Sequence, residues 1–346
     1  MNKKLLSVAV LAVLAAPLTA NAGAKVYGAM HVAVERTTVG DADATYALDG
    51  RSRKASKLGL KGSTDTSLMD FKTVYKFEMG LDQNKGAKGS YYQRDTWVGL
   101  SSKSMGTVRA GTIKTAWKAT SSMVDPLFTT AFEGRGFLGL TSAKQAGGTG
   151  DGRGRSTRTI RYDSPTIAGA KILADYNFSV EGENNIGLGL RYKIGGLKVF
   201  ADYKSIGKGN FVDGGAKAGT ATKVGAKFSS GAIGASFQYE KDSGAVTGST
   251  TKTQDNLFAN VTYSMGATTF IVTAGQQSDS SSGADDGRKS YAFVVSQKVA
   301  KKVSLYTGYG AYAGGVNTST FTKDANGDTI KADAMSAFVV GIKAGY

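Results

Sequence analysis

Residues 184–206 read NNIGLGLRYKIGGLKVFADYKSI and contain two amphipathic stretches joined at Gly195. In the first stretch, small or basic residues alternate with an apolar set that consists of Ile186, Leu188, Leu190, Tyr192 and Ile194. A period of two separates the two faces of a β-strand, here one apolar and one polar. Two such stretches with a very short connection predict an antiparallel hairpin.

The same pattern recurs along the whole chain after residue 22. We predict sixteen strands, which are Ala24–Arg36, Gly50–Lys61, Met69–Asp82, Ser90–Ser101, Gly106–Lys114, Ser156–Ser164, Ala168–Val180, Asn184–Ile194, Gly196–Ile206, Thr220–Ser229, Gly231–Lys241, Gln254–Ser264, Ala267–Gln277, Arg288–Lys298, Lys301–Ala313 and Ala332–Tyr346. The three prolines all fall outside these stretches, as a hydrogen-bonded ladder requires.

The connections between the stretches distinguish a membrane barrel from a soluble sandwich, which shows the same period. From the fourth stretch onward, the connections that follow even-numbered stretches are very short, as at Gly195 and Ser230. Most of those that follow odd-numbered stretches are longer, as at Gly314–Lys331. The brief Glu181–Glu183 and the longer Gly62–Leu68 are exceptions. Short turns at one end and long loops at the other predict an all-β fold, a 16-stranded antiparallel transmembrane β-barrel.

The first 22 residues have the features of a secretory signal peptide. Lys3 and Lys4 precede an apolar segment, Leu5–Ala16, and Ala20–Ala22 forms a small-x-small cleavage site. We therefore expect a signal peptide at 1–22 and a mature barrel at 23–346. The chain has no cysteine, which is compatible with export to an oxidising compartment.

The formal charge of +16 falls to +14 when the two leader lysines are removed. A basic excess of this size could bind nucleic acid, but the basic residues are not gathered in one patch. They recur at the polar positions of strands, with Asp175, Asp202 and Glu240 as acidic partners. In a barrel these positions point inward, so the charge is expected to line a water-filled lumen. The basic set is Lys57, Lys61, Lys72, Lys76, Lys171, Arg191, Lys193, Lys198, Lys204, Lys223 and Lys227.

Five segments carry recognisable motifs: SKLGLKGS at 56–63, RDTWVGL at 94–100, GTVRAG at 106–111, YDSP at 162–165 and FVVGIKAGY at 338–346. Together they resemble the Gram-negative general porins, particularly the trimeric kind found in Neisseria. The resemblance implies an outer-membrane homotrimer through which small hydrophilic solutes and ions diffuse passively. The family commonly ends in Phe, and here Tyr346 would serve as the signal for the barrel assembly machinery.

The resemblance also implies that the third loop, here Thr115–Arg155, folds into the barrel and narrows it. This is the longest connection, and connections of such length are rarely mere linkers. Family members often place acidic residues on this loop opposite a basic cluster on the wall. The candidate loop residues are Asp125, Glu133 and the basic Arg135, although the loop as a whole is net basic.

The wall cluster carries over to Lys57, Arg94 and Arg158. Strict alternation leaves the last assignment open, because Arg158 shares a face with Ile160, whereas Arg161 lies on the polar face. Both arginines are retained as candidates. Several basic groups around a narrow aqueous gap favour anions, so we predict an anion-preferring general diffusion porin.

Other functions find less support in the sequence. With one histidine and no cysteine, a Ser-His-Asp triad would depend on His31, and a transition-metal site would lack ligands. No enzyme activity, cofactor or metal is predicted. A substrate-specific channel is the first alternative, followed by a barrel enzyme or an adhesin. Contacts with outer-membrane lipid and lipopolysaccharide are expected, the latter through divalent ions at acidic loops such as the one with Asp43.

Overall fold

The computed structural model describes residues 23–40, 42–48, 56–82, 91–134, 154–178, 183–207, 219–243, 253–279, 287–314 and 334–346. The strands are β1 (Lys25–Val39), β2 (Thr45–Leu48), β3 (Lys57–Asp65), β4 (Lys72–Leu81), β5 (Tyr91–Ser102), β6 (Gly106–Lys114), β7 (Arg155–Asp163), β8 (Ala170–Asn177), β9 (Asn185–Ile194), β10 (Leu197–Ile206), β11 (Gly219–Ser230), β12 (Ile233–Ser243), β13 (Thr253–Met265), β14 (Thr268–Gln277), β15 (Arg288–Ala300), β16 (Val303–Ala313) and β17 (Ala334–Gly345). Two short helices, α1 (Ala116–Ala119) and α2 (Ser121–Val124), lie between β6 and β7. Within the described ranges, no helix is both long and apolar enough to cross a bilayer.

The first and last strands close the barrel. β17 pairs antiparallel with β1 from Ala29↔Gly345 to Val39↔Met335, and from β3 onward each strand pairs antiparallel with the next. The seventeen strands occupy sixteen positions around the barrel, because β2 and β3 share one position beside β1. β2 pairs with residues 34–37 of β1 and β3 pairs with residues 25–29. A closed sheet has no unpaired edge, as a hydrocarbon environment demands. The predicted 16-stranded antiparallel barrel is confirmed.

The second barrel position departs from the prediction. β1 continues to Val39, past the predicted end at Arg36, and Thr45–Leu48 pairs back onto it within what was expected to be a loop. Between β2 and β3, a serine side chain takes the place of a paired strand. The Ser56 hydroxyl accepts a hydrogen bond from the His31 backbone N–H at 3.0 Å and donates to the His31 carbonyl at 3.3 Å.

The two faces of the barrel reverse the arrangement of a soluble protein. On β1 the outward side chains Val26, Met30 and Val34 are 39%, 41% and 54% exposed, whereas the inward His31 and Glu35 are buried. The other strands repeat the pattern, with large apolar residues outside and polar residues inside. This is the arrangement of a barrel that faces lipid on the outside and water within.

Tight hairpins gather at one end of the barrel. Gly195, Gly231 and Gly266 occupy three of these turns with φ of 53°, 54° and 59°, a left-handed conformation that suits glycine. Short turns of this kind mark the periplasmic end of an outer-membrane barrel.

The longer β3–β4 connection at this end is held by its neighbour. Asp70 Oδ2 accepts hydrogen bonds from the hydroxyls of Ser102 at 2.7 Å and Ser104 at 3.1 Å. These hydrogen bonds, chiefly the one from Ser102, stabilise the charged carboxylate and hold the pKa of Asp70 below its usual value.

Candidate pore constriction

The connection between β6 and β7 turns into the lumen. The N–H of Ala116 donates to Asp175 Oδ2 on β8 at 2.8 Å, and Arg191 on β9 donates to the Ala116 carbonyl at 2.8 Å. Lys223 on β11 donates to the carbonyl of Trp117, which is itself buried. Side chains of three inner-wall strands therefore hold helix α1 against the barrel.

The segment then continues along the wall towards the last strands. The Val124 carbonyl accepts hydrogen bonds from Ser236 on β12 at 2.6 Å and from Asn260 on β13 at 2.5 Å. Further on, the Tyr312 hydroxyl on β16 donates to the Ala131 carbonyl at 3.1 Å. Residues 116–132 thus run along the inner wall from β8 to β16.

An apolar contact fixes the far end of this segment. Phe132 is fully buried in a cluster that includes Leu127 of the same loop and Ala33, Val294 and Val339 of the wall. These wall residues form an apolar patch inside the barrel, and a second one, with Phe200, Phe258 and Met335 on the wall, packs against Val124 of the loop. The loop covers both patches, which explains why apolar side chains point inward at these places.

Charged side chains from β3, β4, β5 and β7 form a second feature of the lumen, the wall cluster. Glu78 Oε1 lies 2.5 Å from Arg94 Nε, and Glu78 Oε2 lies 3.3 Å from Lys76 Nζ. Asp95 contacts Lys76 Nζ at 2.7 Å and Arg155 Nε at 2.5 Å. Four bases surround two acids, so the cluster is net basic; its members are Lys57, Lys76, Glu78, Arg94, Asp95 and Arg155.

A β-bulge places two adjacent charged residues on the same side of the wall. Between Phe77↔Thr96 and Met79↔Gln93, two residues of β5 oppose the single Glu78 of β4. Strict alternation would put Arg94 and Asp95 on opposite faces, but the extra residue in the bulge directs both into the lumen. Arg94 can therefore reach Glu78 while Asp95 reaches Lys76.

A second charged group lies next to the wall cluster and nearer the periplasmic end. Asp163 accepts from Arg109 Nη2 at 2.6 Å and from Arg161 Nε at 2.6 Å, and Lys171 Nζ lies 3.7 Å away. The Arg109 guanidinium also lies over the ring of Trp97, 5.1 Å from its centroid. Three bases around one acid extend the basic surface of the wall.

A family model described as Gram-negative porin matches residues 7–317 of the chain. This chain belongs to the Gram-negative porin family. A porin is an outer-membrane channel, and the closed barrel with its polar lumen has the architecture of one. The inward loop and the charged wall of this porin border that lumen.

Solved porin structures share the fold of this porin at low sequence identity. The anion-selective porin from Comamonas acidovorans is 19% identical, with 94% of this chain and 100% of that chain covered at a TM-score of 0.74. OmpT of Vibrio cholerae is 16% identical, and the match covers 96% of this chain and 100% of that chain at a TM-score of 0.69. OmpF of Salmonella typhi, solved with daunomycin, is 14% identical, and the match covers 93% of this chain and 97% of that chain at a TM-score of 0.69. A comparison with curated protein sequences gives no significant match.

The structure places most of the predicted site residues of this porin inside the barrel. Lys57 and Arg94 lie in the wall cluster, and Arg161 lies in the neighbouring group around Asp163. Asp125 and Glu133 lie on the inward loop, whereas Arg135 falls outside the described residues.

The two acidic loop residues that were predicted as site residues, Asp125 and Glu133, accept hydrogen bonds from the backbone of the loop. Asp125 Oδ1 accepts from the Leu127 N–H at 2.8 Å, which is the turn-forming role expected for an Asp-Pro pair. Glu133 Oε2 accepts from the Thr129 N–H at 2.9 Å. Both carboxylates thus help to shape the loop.

The prediction that Arg158 belongs to the wall cluster is wrong. Arg158 is exposed on the face that carries Ile160, and it has a left-handed φ of 50°. Alternation from Ile160 places it there, and a second bulge, between Gly111↔Thr159 and Ile113↔Ser156, lies at this point of β7. The basic residue of β7 that reaches the wall cluster is Arg155, which was assigned to the end of the loop.

Several members of the site were missed by sequence reasoning. Glu78 shares its parity with Lys76, so alternation could have identified it as inward. Tyr27 donates its hydroxyl to Glu78 at 2.8 Å, and its ring lies within 6.0 Å of three lysine amino groups. Asp95 has the parity opposite to the outward Val98 and Leu100, so alternation could have identified it too. Arg155 carried no such signal, because its contact with Asp95 spans 60 residues.

Proposed function

We propose that this porin is a general diffusion channel that prefers anions, and that the wall cluster sets the preference. The observation that carries the proposal is the excess of bases in the wall cluster, four around two carboxylates. Beside a narrow aqueous path with low-dielectric walls, an uncompensated positive charge lowers the energy of a passing anion. The likeness to an anion-selective porin from Comamonas acidovorans supports the same direction.

The test is the reversal potential of single channels in a potassium chloride gradient. The Lys57 side chain is 29% exposed and its amino group lies 3.6 Å from Glu78. Lys57→Gln therefore removes one positive charge from the lumen and leaves Glu78 paired with Arg94 and Lys76. We expect wild type to favour chloride and the variant to lose roughly twofold in permeability ratio, since one partly exposed charge contributes on the order of 0.5 kcal/mol.

Arg158→Gln is the matched control, because it removes the same charge from an exposed side chain on the other face of the wall. Its reversal potential should equal that of wild type. A cation-selective wild type, or equal shifts in both variants, would overturn the assignment.

A general channel is favoured over a sugar-specific one by the positions of two inward tyrosines on β16, Tyr306 and Tyr312. Tyr306 is 6% exposed and contacts His31 Nε2 at 2.7 Å, while Tyr312 is 2% exposed and donates to the loop backbone. Neither offers a free ring face along the path of a sugar. Liposome swelling should therefore follow solute size and not sugar identity. The same contact leaves His31 as a structural residue, which favours a channel over a barrel enzyme.

We further propose a homotrimer. One matched structure is a trimer form of OmpT from Vibrio cholerae, 16% identical with a TM-score of 0.65. Chemical cross-linking of the purified protein before heating should yield a trimer band that disappears on boiling. A monomer at all cross-linker concentrations would contradict the proposal.

Processing and assembly are part of the same proposal. Residues 1–22 are removed as a signal peptide, so sequencing of the mature protein should begin at Gly23. Tyr346, which exchanges backbone hydrogen bonds with Gly28, is the assembly signal read by the barrel assembly machinery. Removal of Tyr346 should reduce the amount of barrel in the outer membrane, whereas Tyr346→Phe should not. Binding of lipopolysaccharide at the acidic outer loops is expected to require divalent cations.

A further inference from the structure

Three lysines face one another on neighbouring strands at the periplasmic mouth. Lys198 on β10 lies directly opposite Lys193 on β9 and directly opposite Lys227 on β11. All three share the inward parity of the strand residues that line the lumen. Neighbouring strands lie about 4.8 Å apart, so this lysine row (Lys193, Lys198 and Lys227) spans roughly 10 Å.

Further from the mouth, the same three strands match acid with base. Asp202 lies directly opposite Lys223 and contacts it at 3.6 Å, and it also contacts Arg191 at 2.6 Å. Lys204 contacts Asp175 on the adjacent β8 at 2.5 Å. The lysine row differs from this part of the wall, because its basic side chains face one another and not acidic partners.

The charges of the lysine row are uncompensated and accessible. Among the residues that the structure describes, no carboxylate oxygen lies within 4.0 Å of any of the three amino groups. Lys193 and Lys198 are exposed and Lys227 is half-buried. Like charges directly opposite one another on a sheet destabilise it. Uncharged polar residues would hydrate this part of the wall without that cost.

The location of the row is set by the fold. Lys193 and Lys198 flank the hairpin turn at Gly195 and Gly196, at the end of the barrel that carries the short turns. Helix α1 rests on Arg191 and Lys223, which lie further from that turn on the same strands. The row is therefore reached from the periplasm before the inward loop.

The chemistry of three parallel ammonium groups fits a compact multivalent oxyanion. Each amino group supplies three N–H donors and a full charge, and phosphate oxygens accept several such donors at once. A pyrophosphate is long enough to reach more than one member of a row of this length. A monovalent anion can engage one lysine fully but gains little from its neighbours.

We propose that the lysine row is a binding site for a multivalent phosphate anion at the periplasmic mouth, separate from the wall cluster. Occupancy of this site neutralises the repulsion between the lysines and reduces the flow of chloride through the barrel. The proposal rests on the channel function, but it does not depend on the ion preference assigned to the wall cluster.

The test uses pyrophosphate as the probe in planar bilayers, added in turn to each side of single channels that carry potassium chloride current. We expect a saturable fall in conductance that is strongest from the periplasmic side. The variant Lys193→Gln/Lys198→Gln/Lys227→Gln should raise the half-blocking concentration by about tenfold or more. Gluconate, a monovalent anion, should produce no saturable block in either protein.

The control variant Lys298→Gln/Lys301→Gln/Lys302→Gln removes the same charge from exposed side chains around the β15–β16 turn at the same mouth. It should change the half-blocking concentration by less than about twofold, because diffuse charge is screened by salt. Equal effects of the two triple variants, or block that does not saturate, would overturn the site.

A second variant and a second measurement keep the result decisive. The single Lys198→Gln variant removes the central lysine and should give part of the tenfold change. In calorimetric titration of pyrophosphate into the detergent-solubilised proteins, the affinity should be highest for wild type, lower for Lys198→Gln and lowest for the triple variant of the lysine row. The reversal potential without pyrophosphate tests the wall cluster separately, so failure of one assignment leaves the other intact.

Discussion

Arg94 donates from Nε to Glu78 Oε1 at 2.5 Å, although strict alternation along β5 would direct Arg94 to the lipid side of the wall. The bulge opposite Glu78 makes this contact possible by adding one residue to β5. Glu78 consequently becomes the acid around which the basic groups of the wall cluster are arranged. Its charge opposes theirs, so it is a sensitive position for both selectivity and stability.

We expect Glu78→Gln to increase anion preference and lower stability. Loss of the carboxylate leaves more uncompensated positive charge in the lumen, so the chloride-to-potassium permeability ratio should rise about twofold or more. Breaking a buried ion pair costs about 3 kcal/mol, which should lower the temperature of heat-induced unfolding on gels.

Asp65→Asn is the control for that experiment. Asp65 contacts Lys72 at 2.8 Å, but its side chain is 84% exposed, so the pair should contribute less than about 1 kcal/mol. A similar loss of stability in both variants would contradict the role given to Glu78.

Phe132→Ala should loosen the inward loop without unfolding the barrel. Phe132 is fully buried against Val294 and Val339, and truncation of such a side chain costs about 3–5 kcal/mol. We expect higher single-channel conductance and faster entry of larger sugars in liposome swelling. Phe293→Ala, at a 50% exposed outward position next to Val294, should leave both measurements unchanged. Equal conductance in Phe132→Ala and wild type would show that the loop does not need this anchor.

A double-mutant cycle on Asp175 and Lys204 should reveal strong coupling. Both side chains are fully buried, they lie 2.5 Å apart, and Asp175 also accepts the Ala116 N–H at the start of the loop. Lys204→Met and Asp175→Asn should each destabilise the protein by about 3–5 kcal/mol, because each leaves a buried charge without its partner. The double variant should lose less than the sum. Additive losses in thermal unfolding would argue against a direct interaction.

Ser56→Ala should destabilise the barrel seam near β1. The change removes the hydrogen bonds to both backbone groups of His31, and a buried backbone group left without a partner costs about 1–3 kcal/mol. Hydrogen exchange at the His31 amide should accelerate. Ser63→Ala, at a half-buried position on β3, should have an effect below about 0.5 kcal/mol. Unchanged exchange at His31 would mean that water replaces the hydroxyl without loss.

Much of the fold was predictable because each strand carries its own information. Val34 faces lipid and the next residue, Glu35, faces water. Because each strand shows this alternation in its own sequence, its two faces can be predicted without knowing the partner strand. The short turn at Gly195 similarly fixed the hairpin between β9 and β10. The second strand was misjudged because its interruption is repaired by Ser56, which contacts His31 from 25 residues away.

The candidate site was predictable only in part. Lys57 and Arg94 were identified from motifs, but the contact of Arg94 with Glu78 depends on a bulge, and the membership of Arg155 depends on a contact between different strands. Arg158 was misassigned because the motif resemblance placed it in the wall cluster, whereas alternation puts it on the face of Ile160. One extra residue in a strand reverses the faces beyond it, and sequence alternation alone does not show where that residue is inserted.

The sequence by itself determined a closed barrel with an apolar exterior and a basic interior, because contact with lipid and water constrains each side chain independently. Only the tertiary structure decided which bases meet which acids, where the loop lies and which lysines remain unmatched at the periplasmic mouth. Those features depend on the register between strands, as between Lys193 and Lys198, and on the packing into one cluster of residues as distant in sequence as Phe132 and Val339. Charge pairing is a property of distances between side chains, and the folded barrel sets those distances.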